Sequence, residues 1–300
     1  MKEHNQDAFY AYHPIVNLAY FVAVIGFSMF LMHPMFLGIS LFCGAFYALY
    51  VRGTKALRFG LLYMLPLVII TAGLNPLFNH QGATILGYLP NGNPVTLESM
   101  AFGIASAVML VSVIIWFACF NLVMTSDKFI YLFGAVIPSL SLVLSMALGM
   151  VPRFRKQLHI IANAQKTSRP QAQAKSLVAK ARLGVKIVSI LVTWALENSI
   201  QTADSMKARG YGLKGRTAFS IFSFTHRDKV ALFFIVFCTA FILVGFVTGH
   251  YHFRYFPTIR GLWYGSFTVA MFVAYFALAL LPIIINVYED ISWRHLQSKI

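Results

Sequence analysis

Six long stretches of this 300-residue chain contain no lysine, arginine, aspartate, glutamate or histidine, and they constrain its fold more than any other feature. They run over residues 15–32, 34–51, 59–79, 99–124, 230–249 and 262–286. About 20 helical residues cover the ~30 Å hydrocarbon core of a bilayer. Inside that core, backbone N–H and C=O groups must be satisfied within the protein, which favours helices for segments of this length. The stretches therefore predict membrane-crossing helices. Only 11% of the residues are charged, against about a quarter in soluble domains. The chain is read as an all-α polytopic membrane protein with about six transmembrane helices and a cytoplasmic domain of long amphipathic helices.

A seventh apolar stretch, 130–150, is excluded as a span by charge. Residues 151–229 hold fifteen Lys/Arg and three acids, a net +12 of the chain's +15. Basic loops stay in the cytoplasm, and each Arg or Lys at a helix centre costs ~2.5–3.5 kcal/mol. With the N-terminus inside, four spans return the chain inside near Ser126; a fifth crossing would export the whole basic block. The 130–150 stretch is therefore expected to be an apolar helix, broken near Pro138, in or under the inner leaflet. This topology puts 22 of the 24 basic residues and both termini inside, with the turn-rich loop 80–98 outside. The domains are then 1–129 with four spans, a basic cytoplasmic region 130–229, and 230–300 with two spans. The N-terminus lacks the pattern of a cleaved signal, so the first span is read as an uncleaved targeting signal.

Two amphipathic helices are expected in the basic region. In the first, Phe154, Leu158 and Ile161 recur at i, i+4, i+7 and share one face. It should end before Pro170, since the residue preceding proline is pushed out of the helical region. The second runs from about Ser176 to Ala208. Val192, Leu196, Ile200 and Ala203 form its apolar stripe; Glu197, Gln201 and Asp204 form a polar one. Gly210 stands where a left-handed C-terminal cap is usual. Both helices thus end on an arginine between small or rigid residues, Ser168-Arg169-Pro170 and Ala208-Arg209-Gly210. Such a guanidinium complements the helix dipole and can fork onto a carboxylate of a partner. Solvated arginines, or arginines contacting anionic lipid, are the alternatives on spacing alone.

Several segments resemble the transmembrane T component of energy-coupling factor (ECF) transporters, the family that includes the cobalt-transport permeases. They are His13-Pro14, His33-Pro34, Asn75-Pro76-Leu77-Phe78, Met150-Val151-Pro152-Arg153-Phe154, Ala164-Gln165 and, most specifically, Glu197 through Gly210. The resemblance implies a non-catalytic subunit of the cell membrane, without cofactor, for uptake of a vitamin or metal ion. Its implied partners are two ABC-type ATPase subunits and a membrane-embedded substrate-binding S component. In the family each of two X-Arg-X tripeptides docks on one ATPase. Ala208-Arg209-Gly210 fits that pattern. The first site departs from the commoner Ala-Gln-X-Ala-Arg-Gly, because Ala164-Gln165-Lys166-Thr167-Ser168-Arg169-Pro170 has one extra residue and Pro for Gly. Gln165, Glu197 and Asp204 are expected to support these helices.

Other motifs are weaker. Gly210-Tyr211-Gly212-Leu213-Lys214-Gly215-Arg216-Thr217 nearly spells a phosphate-binding loop, but Arg replaces its lysine and it follows a helix, not a strand. His250-Tyr251-His252 lacks a nearby acid or cysteine that would complete a metal site. Cys43, Cys119 and Cys238 lie in apolar runs and read as packing residues. The basic block lacks the interleaved aromatics expected for nucleic acid. A self-sufficient channel, carrier or membrane enzyme is the alternative function; such proteins usually place ionisable groups at membrane depth, and the six stretches hold none.

Overall fold

The computed structural model describes residues 7–88, 90, 92–167, 177–213, 222–249, 253–261 and 265–297. The chain is helical almost throughout, and it falls into two compact units, Met1–Lys128 with Phe222–Ile300, and Phe129–Ile221.

All six charge-free stretches are helices of the first unit: α1 (Pro14–Phe30), α2 (Pro34–Arg52), α4 (Leu65–Phe78), α5 (Leu97–Val123), α9 (His226–Val247) and α10 (Ser266–Gln297). By length and composition α2, α5, α9 and α10 can each cross a membrane, while Pro14–Phe30 and Leu62–Phe78 are shorter apolar helices. Their 17 residues reach roughly 26 Å. A short helix, α3 (Thr54–Phe59), and a π turn (Gly60–Met64) lead into α4. The two His-Pro dipeptides have a local explanation. Pro14 and Pro34 each open a helix, and the preceding His13 and His33 side chains accept from the backbone N–H of Ile15 (3.4 Å) and Met35 (3.2 Å). Each pair is an N-cap followed by a proline whose missing N–H costs nothing there.

Small polar side chains join the helices inside an aromatic core of Tyr20, Phe21, Trp116 and Tyr275. Ser28 and Ser40 hydroxyls meet at 2.6 Å, Trp116 Nε1 donates to Ser40 (3.0 Å), and the Tyr275 hydroxyl lies 3.1 Å from Ser28. Hydrogen bonds of this kind hold helices together where burial from water supplies no drive. At Gly103 on α5, an added Cβ would sit 2.8 Å from the Ala72 carbonyl oxygen of α4, so glycine is what lets these two helices approach.

One end of this bundle fixes the chain's parity. Asp7 accepts from the Tyr47 hydroxyl (2.8 Å) and from Asn286 Nδ2 (2.9 Å), which brings together the N-terminal segment, the end of α2 and α10. Lys128, just past α5, donates to the Tyr10 carbonyl (2.6 Å), and Asp228, at the start of α9, accepts from the His13 N–H (2.9 Å). Lys128 and Asp228 therefore lie at the same end of the bundle. The opposite end holds a hairpin, β1 (Ile85–Tyr88) antiparallel to β2 (Pro94–Thr96), where only a turn-rich loop was expected. Its base is fixed by the buried Glu98 carboxylate, which accepts from Thr84 N (3.2 Å) and Oγ1 (2.9 Å).

In the second unit the 130–150 stretch is helical and broken as expected. The helix α6 (Ser126–Val136) stops two residues before Pro138, and α7 (Pro138–Thr167) starts on it. Among the described residues neither is a helix apolar enough over its length to cross. The amphipathic helix expected from about 153 is not separate: α7 runs through Pro152 for thirty residues. It packs against α8 (Leu177–Ala208), with Phe154 and Trp194 edge to face at 5.8 Å.

Candidate functional site

The most specific sequence motif lies at the C-terminus of α8, a 32-residue helix without proline. Its last helical residue is Ala208; Arg209 is the cap and Gly210 follows with φ +80°. The Tyr211 N–H bonds the Met206 carbonyl (3.0 Å) and the Gly210 N–H bonds the Lys207 carbonyl (2.9 Å). That pair of bonds is a Schellman cap, which satisfies carbonyls the helix would otherwise leave open. Gly212, with φ +95°, continues the turn, and Leu213 N–H reaches back to Gly210 O (3.2 Å). The expected glycine cap is thus present, with Arg209 exposed on it and, among the described residues, in no ion pair.

The same bonds dispose of the phosphate-loop lookalike over its described half. The N–H groups of Gly210 and Tyr211 are spent on helix carbonyls, so they do not form a phosphate cradle. Lys214, Gly215, Arg216 and Thr217 lie outside the described residues, as do Ser168-Arg169-Pro170 and His250-Tyr251-His252.

Each of the two long helices of the second unit covers one face and exposes the other. On the C-terminal half of α7, Phe154, Gln157, Ile161, Ala162 and Gln165 are covered, while Leu158 is exposed. Around the helix Ile161 and Gln165 stand about 20° to either side of Phe154, with Gln157 and Ala162 at the flanks. On α8, Leu183, Ile187, Leu191, Trp194, Asn198 and Thr202 are half-buried. The apolar stripe Val192, Leu196, Ile200 and Ala203 is exposed, with Leu196 and Ile200 63% and 66% accessible, and Val185 and Val188 extend it. Glu197, Gln201 and Asp204 are exposed beside it. Periodicity finds an amphipathic helix but does not say which of two apolar faces its neighbour takes. Trp194, on the covered side, offers the larger surface, and it wins the contact with α7.

One set of positioning residues escaped the sequence reading. Asp228 was counted only as an acid in the basic region. It completes a capping box at the start of α9, accepting from Thr225 N (2.8 Å), and it holds the His13 backbone. The signal was present as Thr225-x-x-Asp228 just before an apolar run. Burial outweighs the attraction of the Asp228 carboxylate and lowers the His13 pKa, so the neutral imidazole can accept at the head of α1. Lys128 is buried; its Nζ meets the Tyr10 carbonyl and lies 4.0 Å from the centre of the Tyr10 ring. The Asn17 amide, turned so that its oxygen faces Nζ, accepts at 2.8 Å and donates to the Phe9 carbonyl at 3.1 Å.

No family model matches the chain. Two curated proteins do. It is 26% identical over 114 residues to the energy-coupling factor transporter transmembrane protein EcfT of Lactobacillus helveticus, covering 38% of this chain and 41% of the relative. It is 28% identical over 115 residues to the EcfT of Leuconostoc gelidum subsp. gasicomitatum, covering 38% and 42%. The match thus spans about two-fifths of the length of these relatives. An all-α membrane bundle, the Glu197–Gly210 motif on a capped helix and the two matches converge: this chain is similar to the EcfT transmembrane proteins of energy-coupling factor transporters.

Proposed function

We propose that this chain is the membrane scaffold of an ECF-type importer, passing the ATP-driven motion of two ABC-type ATPase subunits to an S component that holds a vitamin or metal ion. It performs no chemical step; ATP hydrolysis belongs to the partners. The observation that carries this reading is Arg209, an exposed guanidinium on a rigid glycine cap at the end of a long helix. An arginine there can fork onto a carboxylate in an ATPase groove, and the negative end of the helix dipole favours its charge. Ser168-Arg169-Pro170 is proposed for the second ATPase on resemblance alone. Glu197 and Asp204, exposed on the polar stripe, are available to the ATPase side, whereas Gln165 stiffens the helix pair from the covered face of α7.

The exposed apolar stripe of α8 supports the second kind of partner. A contiguous apolar face on a basic, water-facing unit needs cover, and the S component supplies it in this reading. The charge asymmetry supports an orientation with the second unit and both termini in the cytoplasm of a prokaryotic cell membrane.

The test is co-purification of the tagged protein with its ATPases, paired with an uptake assay. Removing one partner of a buried, hydrogen-bonded charge pair costs ~2–5 kcal/mol of binding. Arg209→Ala should therefore weaken ATPase association, Arg209→Lys should restore it in part, and Arg182→Ala on an exposed stretch of α8 should be mild. The docking assignment is falsified if Arg169→Ala combined with Arg209→Ala assembles and transports like the wild type.

A further inference from the structure

A groove in the first unit has the chemistry of a lipid seat. On α2, Ala45, Ala48, Leu49 and Arg52 recur at i, i+3, i+4, i+7 and share one helical face. They face Gly60 of the π turn and Ala118 of α5 across a cavity of about 290 Å³. That volume lies near the lower end of small-molecule pockets, and the walls are apolar except at one point. The small alanine and glycine side chains leave the gap.

The exception is Arg52, the last residue of α2. It is half-buried and donates from Nη2 to the Ala118 carbonyl at 3.3 Å. A guanidinium has five N–H donors, so this bond orients the group and leaves donors for another acceptor. Arg58 is exposed on α3, and Lys55 lies between them in the sequence. On the other side of α2, Asp290 is engaged by the Tyr50 hydroxyl. Arg52 is therefore the charged group lining the groove, and it lies toward the end of the bundle where Tyr47 meets Asp7.

We infer that this groove binds one anionic glycerophospholipid, with an acyl chain along the alanine face and the phosphate at Arg52. Arginine binds phosphate bidentately, and basic pockets between transmembrane helices select anionic headgroups. Neither the ATPases nor the solute are needed for this binding, so it stands apart from the transport reading.

The full-length chain in mild detergent, titrated with phosphatidylglycerol or phosphatidylcholine of matched chains and followed by native mass spectrometry, tests the inference. One phosphatidylglycerol should be retained per chain under conditions that strip phosphatidylcholine. Arg52→Gln should reduce that preference about fivefold, the effect of one surface-facing cation. Ala48→Phe narrows the cavity and should weaken retention of both lipids, while Arg182→Gln should leave it unchanged. If Ala48→Phe does not fold, Arg52→Gln decides alone. Equal retention of the two lipids by the wild type overturns the inference, as does unaltered selectivity in Arg52→Gln. A cysteine at position 48 that crosslinks to another membrane protein, in a chain that retains no lipid, would make the groove a helix seat instead.

Discussion

Replacing Gly210 by alanine separates the cap of α8 from the arginine it presents. The glycine has φ +80°, and a Cβ added there meets Leu213 Cδ1 at 3.1 Å. The leucine terminus can yield, so the larger effect is the backbone: an L-residue in the left-handed region costs roughly 1–2 kcal/mol. The two cap bonds, Tyr211 to Met206 and Gly210 to Lys207, depend on that conformation. If docking requires the capped form, the apparent affinity for the ATPases falls by about 5- to 30-fold, at 1.4 kcal/mol per factor of ten. Asparagine carries the same Cβ but tolerates left-handed φ, so Gly210→Asn should recover most of the loss. Gly184→Ala is the control on the same helix. Its site is helical with nothing within 4 Å of an added Cβ, and the change should stabilise α8 by about 0.5–1 kcal/mol. Surface plasmon resonance against immobilised ATPases, with circular dichroism to follow helix content, reads both effects. Wild-type binding by Gly210→Ala, or an asparagine variant as weak as the alanine one, would refute the role given to the cap.

Three further outcomes are expected. A cysteine at position 180, exposed on α8, should react with an impermeant maleimide only after permeabilisation, because the native thiols at 43, 119 and 238 are buried; labelling in intact cells would reverse the orientation. Burial holds Lys128 down to about 8 from 10.5, so between those values the unfolded chain binds more protons and stability should rise with pH. Thermal unfolding across that window should show the rise, and Lys128→Met should flatten it; an unchanged slope in the variant would reassign the effect to another group. Gly103→Ala drives a Cβ to 2.8 Å of a backbone carbonyl that cannot rotate away, and it should destabilise the detergent-solubilised protein by ~1–3 kcal/mol, measurable by a thiol-reactive unfolding assay at the buried cysteines.

The features legible in the sequence were those set by local chemistry. Charge-free length marked all six apolar helices, Pro138 marked the break between α6 and α7, and Gly210 marked the cap. What stayed hidden depends on distant partners. Asp7 bonds Asn286, 279 positions away, and no local pattern announces such a pair. The covered face of α8 was not assigned in the sequence for a related reason. Two apolar stripes with helical period compete for one neighbour, and side-chain bulk across the interface chooses between them. Nothing local announced that α7 would run through Pro152 as one helix.

The length of α8 has a mechanical consequence. At 1.5 Å per residue its 32 residues form a rod of roughly 48 Å, and a tilt of about 10° at one end sweeps the other through roughly 8 Å. A rod transmits such a stroke only if its loaded tip does not fray. Terminal turns are ordinarily the softest part of a helix, and here the tip is clamped by two cap bonds one residue from Arg209. Force applied to that guanidinium therefore enters the helix axis rather than being lost in unwinding its last turn.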